Sequence, residues 1–120
     1  MNIIYSDGGT KGSRICMYDK QKEKCVIKTR GNSERKLTNN ELEYLALLYC
    51  IEYCNNVYSK KKVKIKVDSL LVANQINGKW RITTKHLIPL YEKCMKNITE
   101  YITVSWISRD FNLAGHVLES

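Results

Sequence analysis

The chain has 120 residues, enough for one hydrophobic core and too few for two, so residues 1–120 are read as a single domain. Twenty Lys and Arg against twelve Asp and Glu give a formal charge of +8 and a pI near 9.3. That balance points to a polyanionic partner, nucleic acid or an anionic membrane surface, unless the lysines are only a solubility coat.

Ile3-Ile4-Tyr5 reads as a buried strand, and Asp7 follows where that strand should stop. Gly8 and Gly9 remove side chains, so a turn can form there and a bulky ligand can approach the carboxylate. A strand followed by Asp-Gly is also an ordinary turn signal. Lys11-Gly12-Ser13 is a turn. Residues 14–19 and 24–30 are strands joined by the polar turn 20–23, which completes an antiparallel meander. A polar loop covers 31–37.

Thr38-Asn39-Asn40 offers helix N-caps, and the spacing predicts a helix over 41–55 with Leu42, Leu45, Ala46, Tyr49, Cys50 and Tyr53 as its buried stripe. Asn55-Asn56 ends it. Lys60-Lys61-Lys62 leads into a strand over 63–67, whose strict alternation turns Val63, Ile65 and Val67 inward and its lysines outward. Asp68-Ser69 breaks that strand and caps a short helix over 70–76. Asn77-Gly78 is a turn, followed by Trp80. Thr83-Thr84 caps a helix over 86–97 with Pro89 near its first turn. A fifth strand spans 101–107, and a last helix spans 112–119. Strand-helix-strand units form right-handed parallel crossovers, so the expected fold is α/β. Its layout is a mixed five-stranded sheet, three antiparallel strands then two parallel additions, flanked by helices.

Five cysteines (Cys16, Cys25, Cys50, Cys54 and Cys94) form no CxxC pair. They are read as small buried apolar residues of a protein in a reducing compartment, not as zinc ligands. No charged-then-apolar leader opens the chain, and no apolar run approaches the roughly 18 residues of a membrane span. A cytoplasmic location without membrane attachment is expected.

Asp7 closes the first strand and Asp68 the fourth. Side by side and parallel, those strands would bring the two acids together at one end. Glu43 lies on the Leu42/Ala46/Tyr49 side of the long helix and would project toward the sheet, where an acid is costly unless paired or metal-bound. Its neighbour Glu41 is read as a solvent-facing first-turn acid. Taken alone, Glu43 is equally a dipole acid and Asp68 a helix cap. Together, three acids in one low-dielectric place repel, and divalent metal resolves the repulsion. Carboxylate oxygens suit Mg2+ or Mn2+. Two such ions about 4 Å apart can clamp an in-line phosphoryl displacement, one activating water and the other stabilising the leaving oxygen.

These blocks resemble type 1 ribonuclease H: Tyr5-Ser6-Asp7-Gly8-Gly9, the run from Thr38 to Leu47, Val67-Asp68-Ser69, the run from Gln75 to Trp80, Trp106-Ile107-Ser108-Arg109, and Asn112. The likeness spans nearly the whole chain in order. It implies the ribonuclease H-like fold in a compact form without a hybrid-binding domain. It also implies two Mg2+ ions (Mn2+ in their place) and endonucleolytic hydrolysis of the RNA strand of an RNA–DNA hybrid, leaving 5′-phosphate and 3′-hydroxyl ends. Asp7, Glu43 and Asp68 carry over as metal ligands. The family's fourth acid falls in NxxAD, but here Asn112-Leu113-Ala114-Gly115-His116 puts His116 in its place. His116, or Glu119 three residues on, completes the site, or three acids remain.

The resemblance extends to substrate contacts. Gly8 and Gly9 would leave room for the scissile phosphate. Thr38 and Asn40 match residues that hold a DNA-strand phosphate, and Asn39 matches one in the minor groove near the ribose 2′-hydroxyl that distinguishes RNA. Ser69 follows the third acid into the same groove, where Leu70 departs from the usual polar residue. Trp80 either packs along the DNA backbone or belongs to the core. The family's long basic insertion and its His-bearing loop are absent or short, so Lys60–Lys62, Lys79, Arg81 and Lys85 would supply positive surface. No obligatory protein partner is implied. The expected activity is ribonuclease H. The alternatives are a catalytically weakened relative that binds hybrid or double-stranded nucleic acid, and an accessory subunit using its basic face for assembly.

Overall fold

Three strands, β1 (Asn2–Gly9), β2 (Arg14–Asp19) and β3 (Lys24–Thr29), pair antiparallel. Two more, β4 (Val63–Val67) and β5 (Ile102–Trp106), add in parallel beyond β1, giving the order β3-β2-β1-β4-β5. The structure, a computed structural model, describes residues 1–31 and 35–119. The mixed sheet expected from the sequence is the one found. Part of the polar loop read over 31–37 lies outside the described residues.

The parallel ladder between β1 and β4 runs from Asn2–Val63 to Ser6–Val67. Asp7 and Asp68 are each the next residue, so the two carboxylates leave their strands at equal height. β1 does not stop at Asp7, because its other neighbour holds it: Asp7 pairs with Cys16, Gly8 with Ile15 and Gly9 with Arg14. The chain turns only at residues 10–13, where Gly12 has a φ of +77° that suits glycine.

Helices α1 (Asn39–Val57) and α2 (Leu70–Ile76) lie on one face of the sheet, and α3 (Ile88–Asn97) packs against those two helices. The main core lies there, with Ile4, Met17, Leu47, Ile51, Ile65, Val72 and Val104 among its members. Helix α4 (Leu113–Glu119) packs on the opposite face, over β1 and β2, where Ala114 meets Tyr5 and Cys16. A short 3-10 turn, Lys85–Leu87, precedes α3, and Pro89 is the second residue of that helix, where its missing N–H costs nothing.

Helix α1 is longer than the sequence suggested and buried more widely. It runs to Val57 rather than ending at Asn55-Asn56, and it is capped by Thr38, whose hydroxyl accepts from the Glu41 amide at 3.2 Å. Leu42, Ala46 and Cys50 are buried as expected, but so are Tyr44, Leu47, Ile51 and Cys54, while Leu45, Tyr49 and Tyr53 are only partly covered. The helix is wedged between the sheet and α3, so two faces find apolar neighbours. The buried Tyr44 hydroxyl donates to Gln75 Oε1 at 2.6 Å, tying α1 to α2.

Glu41 does not face solvent. It is 2% exposed, forms a 2.7 Å ion pair with Arg35, and accepts from the Thr38 amide. The Arg35 hydrogen bond holds its carboxyl well below the usual range, at about 2. Cys25 departs from expectation too: it is exposed, because β3 is an edge strand without a covering layer, and its Sγ lies 3.7 Å from that of buried Cys16. The other four cysteines are buried and free, as read. At the end of the sheet away from Asp7, fully buried Asp19 accepts from the hydroxyls of Tyr53 and Tyr58 and from the amides of Gln21 and Lys22. No described helix is long and apolar enough to cross a membrane.

Candidate active site

Three acids from three elements converge at the end of the parallel ladder. Asp7 comes from β1, Asp68 from the end of β4, and Glu43 from the first turns of α1. One carboxylate oxygen from each lies within 4.8 Å of the others, the only such cluster among the described residues. The sequence reading named these same three.

Backbone packing sets the geometry. Glu43 Oε1 accepts the Gly8 amide at 2.5 Å. Gly8 has no room for a side chain: a Cβ there would run into the Leu42 carbonyl and lie 2.8 Å from the Glu43 nitrogen. The glycine lets α1 rest directly on β1, which puts Glu43 beside Asp7. Glycine serves here for close approach rather than for a turn.

Electrostatics record the crowding. Burial raises the Asp7 carboxyl from 3.8 to about 6, reinforced by the charge of Asp68. Burial pushes Glu43 from 4.5 to about 9, with Asp7 and Asp68 adding to the effect. Asp68 Oδ2 accepts from Asn112 Nδ2 at 3.0 Å and faces Arg109 Nε at 4.0 Å. Its other oxygen, Oδ1, is buried with no hydrogen-bond partner. A buried carboxylate oxygen without a donor is costly, and a cation among three hard oxygen ligands removes that cost. The donor set therefore fits a hard divalent metal ion held by Asp7, Glu43 and Asp68.

Other residues of the expected site are distributed around this centre. Gly8, Gly9, Asn39 and Glu119 join Asp7 in lining an open cleft of about 460 Å3. Thr38 uses its hydroxyl to cap α1, and Ser69 Oγ caps α2 by accepting from the Val72 amide at 3.2 Å. Asn40 is partly buried in the first turn of α1 and is not among the cleft residues. Trp80 is 47% exposed, so it is not a core residue. His116 is exposed on α4, outside the acid cluster.

The residue of α4 that faces the acids is Gly115. A Cβ on it would lie 3.2 Å from Asp7 Oδ2 and 3.6 Å from Asp68 Oδ2. A glycine inside a short helix, at a packing position, was the available signal. Asn112, fully buried, was also missed as a site residue. Its amide donates to Asp68 Oδ2 and to the Ser6 carbonyl, both at 3.0 Å, and its Oδ1 accepts the Ala114 amide at 3.1 Å. One side chain thus ties together an acid, the middle of β1 at Ser6 and the start of α4. Lys11, Arg14 and Arg109 line the cleft and give it positive walls, and Arg14 Nη2 also donates to the Leu118 carbonyl at 3.0 Å, pinning the end of α4.

Known proteins show the same architecture. RNase H1 from the halophilic archaeon Halobacterium salinarum is 20% identical, with a TM-score of 0.74 over 98% of this chain and 92% of that one. LC11-RNase H1, isolated from compost, is 23% identical, with a TM-score of 0.77 over 98% and 91%. These likenesses establish the ribonuclease H fold. The uncharacterized protein YpeP of Bacillus subtilis is 37% identical over 79 residues, 65% of this chain, and the matched part makes up 29% of YpeP's length. The family model described as reverse transcriptase-like matches residues 6–118, a span that opens one residue before Asp7 and closes one before Glu119. With nearly its whole length matched and its sheet, helices and acid cluster in the expected order, the chain belongs to the reverse transcriptase-like family and has the ribonuclease H fold.

Proposed function

We propose that the protein is a metal-dependent endoribonuclease that cuts the RNA strand of RNA–DNA hybrids. The observation that carries this reading is the convergence of Asp7, Glu43 and Asp68 around a buried, unpartnered Asp68 Oδ1. LC11-RNase H1, which shares the fold, has also been solved in complex with RNA/DNA hybrid, and this supports the substrate class.

Asp7, Glu43 and Asp68 would hold the metal, Mg2+ or Mn2+, as two ions during the reaction. Bound there, divalent ions make a water molecule more acidic and stabilise charge on the leaving oxygen. The attacking water gives up a proton to solvent as its oxygen bonds to phosphorus, the bond from phosphorus to O3′ breaks, and O3′ takes up a proton from solvent. The products are a 5′-phosphate and a 3′-hydroxyl.

The chain's own residues orient these parts. Gly8 holds Glu43 by its amide, and Asn112 holds Asp68. Gly8 and Gly9 line the cleft beside Asp7, and the missing side chain of Gly9 leaves space there for the phosphate, whereas that of Gly8 makes room for α1. Lys11, Arg14 and Arg109 offset charge on flanking phosphates. Asn39, which lines the cleft, would meet the strand that must present a 2′-hydroxyl. Thr38, Asn40, Ser69 and Trp80 complete the proposed substrate contacts. His116 or Glu119 serves the second ion, and Glu119 is the one that lines the cleft.

Labelled hybrid incubated with the protein in Mg2+ or Mn2+ is the direct test. Cleavage of the RNA strand is expected, and Asp68→Asn should abolish it while leaving hybrid binding intact. Binding without cleavage in either metal would overturn the enzymatic reading. It would favour a second one, a hybrid- or duplex-binding relative, for which exposed His116 in the fourth acid's place is the supporting observation.

A further inference from the structure

On one sheet face α1 and α2 cover the four strands β2, β1, β4 and β5, but the other face is covered over only two. On the outer face α4 lies over β1 and β2, and no helix packs over β4 and β5. The outward row of β4 is Lys64 and Lys66, continued backward by Lys62 and forward by Asp68. Register places Ile3 and Thr103 on either side of Lys64, and Tyr5 and Ser105 on either side of Lys66.

An uncovered face must be polar, but it need not carry one sign of charge. Solvated surfaces usually mix both signs. Here the lysines stand two residues apart, about 6.6 Å along the strand, close enough to repel within the Debye length. Among the described residues none of Lys62, Lys64 and Lys66 has a carboxylate within ion-pair distance. Lys64 and Lys66 are partly buried between their neighbours, which limits their freedom and lowers the entropy lost on binding an anion. The hydroxyls of Thr103 and Ser105 beside them are donors suited to phosphate oxygens. The row ends at Asp68 of the acid cluster, whose Oδ2 faces Arg109 at 4.0 Å, and Arg109 lines the cleft.

We infer that the outer face of β4 and β5 is a second nucleic-acid track, on which Lys62, Lys64 and Lys66 bind the phosphate backbone of a strand running on from the acid cluster. The inference deepens the nuclease reading and rests on it for the identity of the polyanion. The track adds affinity and directs the strand, and it takes no part in the chemistry.

The test is fluorescence anisotropy of RNA–DNA hybrid carrying a single-stranded extension, titrated in chelator over a series of salt concentrations. Each phosphate contact contributes about 0.9 to the slope of log affinity against log salt on duplex and about 0.7 on single strand. Lys64→Ala/Lys66→Ala should therefore flatten the slope by about 1.4 to 1.8 and weaken binding several-fold at low salt. Lys64→Arg/Lys66→Arg should keep the wild-type slope. Lys93→Ala/Lys96→Ala, which removes the same charge from exposed positions on α3, should leave it unchanged. Equal slopes for the two alanine pairs, or no binding by the wild type, would overturn the track. Should the alanine pair melt early, Lys64→Gln/Lys66→Gln replaces it in the same comparison. Activity is not read, so the two proposals fail separately. A wild type that binds through these lysines but never cleaves leaves the track standing, and a cleaving wild type indifferent to them leaves only the nuclease.

Discussion

The Gly8 amide donates to Glu43 Oε1 at 2.5 Å, and because Gly8 has no side chain the backbone of α1 rests directly on β1 at the acid cluster. Gly8→Ala would drive a methyl group into the Leu42 carbonyl, which is backbone and cannot swing aside. The expected cost is about 3 kcal/mol of stability, a fall in melting temperature of roughly 10 °C in a chain of this size. Gly9→Ala is the contrast. A Cβ there would touch only Leu118 Cδ1, at 3.9 Å, and the melting temperature should stay within about 2 °C. Thermal unfolding followed by circular dichroism measures both.

The acid cluster makes the metal-free protein sensitive to pH. Asp7 titrates near 6 when folded against 3.8 ordinarily, and Glu43 near 9 against 4.5. Both values are raised on folding, so the folded chain keeps protons that the unfolded chain releases. This contribution to stability is complete below about pH 4 and is lost as pH climbs through 6 and then 9. Melting temperatures in chelator should fall across that window. Millimolar Mg2+ should reverse the fall, because the ion binds the ionised carboxylates of the folded state alone. Glu43→Gln should remove the upper limb of the curve. A flat profile for the metal-free wild type would contradict the crowding described here.

Arg109 stands 4.0 Å from Asp68 Oδ2, with its side chain 71% exposed. On the proposed function, it would compete there with a metal ion for the carboxylate and attract the phosphate of a substrate. Arg109→Ala should therefore act in opposite directions on two ligands. Mn2+ binding, followed by calorimetry, should tighten by no more than about fivefold, as an exposed pair allows. The KM for hybrid should rise by about tenfold, the loss expected for one charge-assisted contact. A loss of both affinities would mean that Arg109 props up the site instead.

His116 and Glu119 are both exposed and both outside the acid cluster, but Glu119 lines the cleft that holds Asp7 and His116 does not. Glu119→Gln should lower single-turnover cleavage by about tenfold or more, with the deficit shrinking as Mg2+ is raised. His116→Ala should leave the rate within about twofold. The reverse ranking would return the second ion to the histidine. Equal and small effects would leave a site of three acids.

Much of this site was legible because its parts follow local rules. Asp7 and Asp68 each end an apolar strand segment, and Glu43 interrupts the apolar positions of a helix. What escaped depends on contacts between distant segments. Glu41 satisfies the pattern of a solvent-facing first-turn acid, and only the approach of Arg35 buries it. The second buried side of α1, with Tyr44, Leu47 and Ile51, exists because α3 packs there, and helical periodicity does not reveal which side a later helix will cover. Substituting His116 for an acid drew attention to one residue, while the neighbouring Gly115 is the one whose missing side chain shapes the site.

The equal height of Asp7 and Asp68 has a consequence for how this chain can vary. Each acid is the fifth residue after a paired start, Asn2 on one strand and Val63 on the other. Inserting or deleting a single residue within either run would turn one carboxylate to the opposite sheet face. The connections between elements, such as residues 77–84, carry no such constraint. The spacing of the acids is thus encoded in strand length as firmly as in residue identity, and related chains should differ in their loops long before they differ by one residue in β1 or β4.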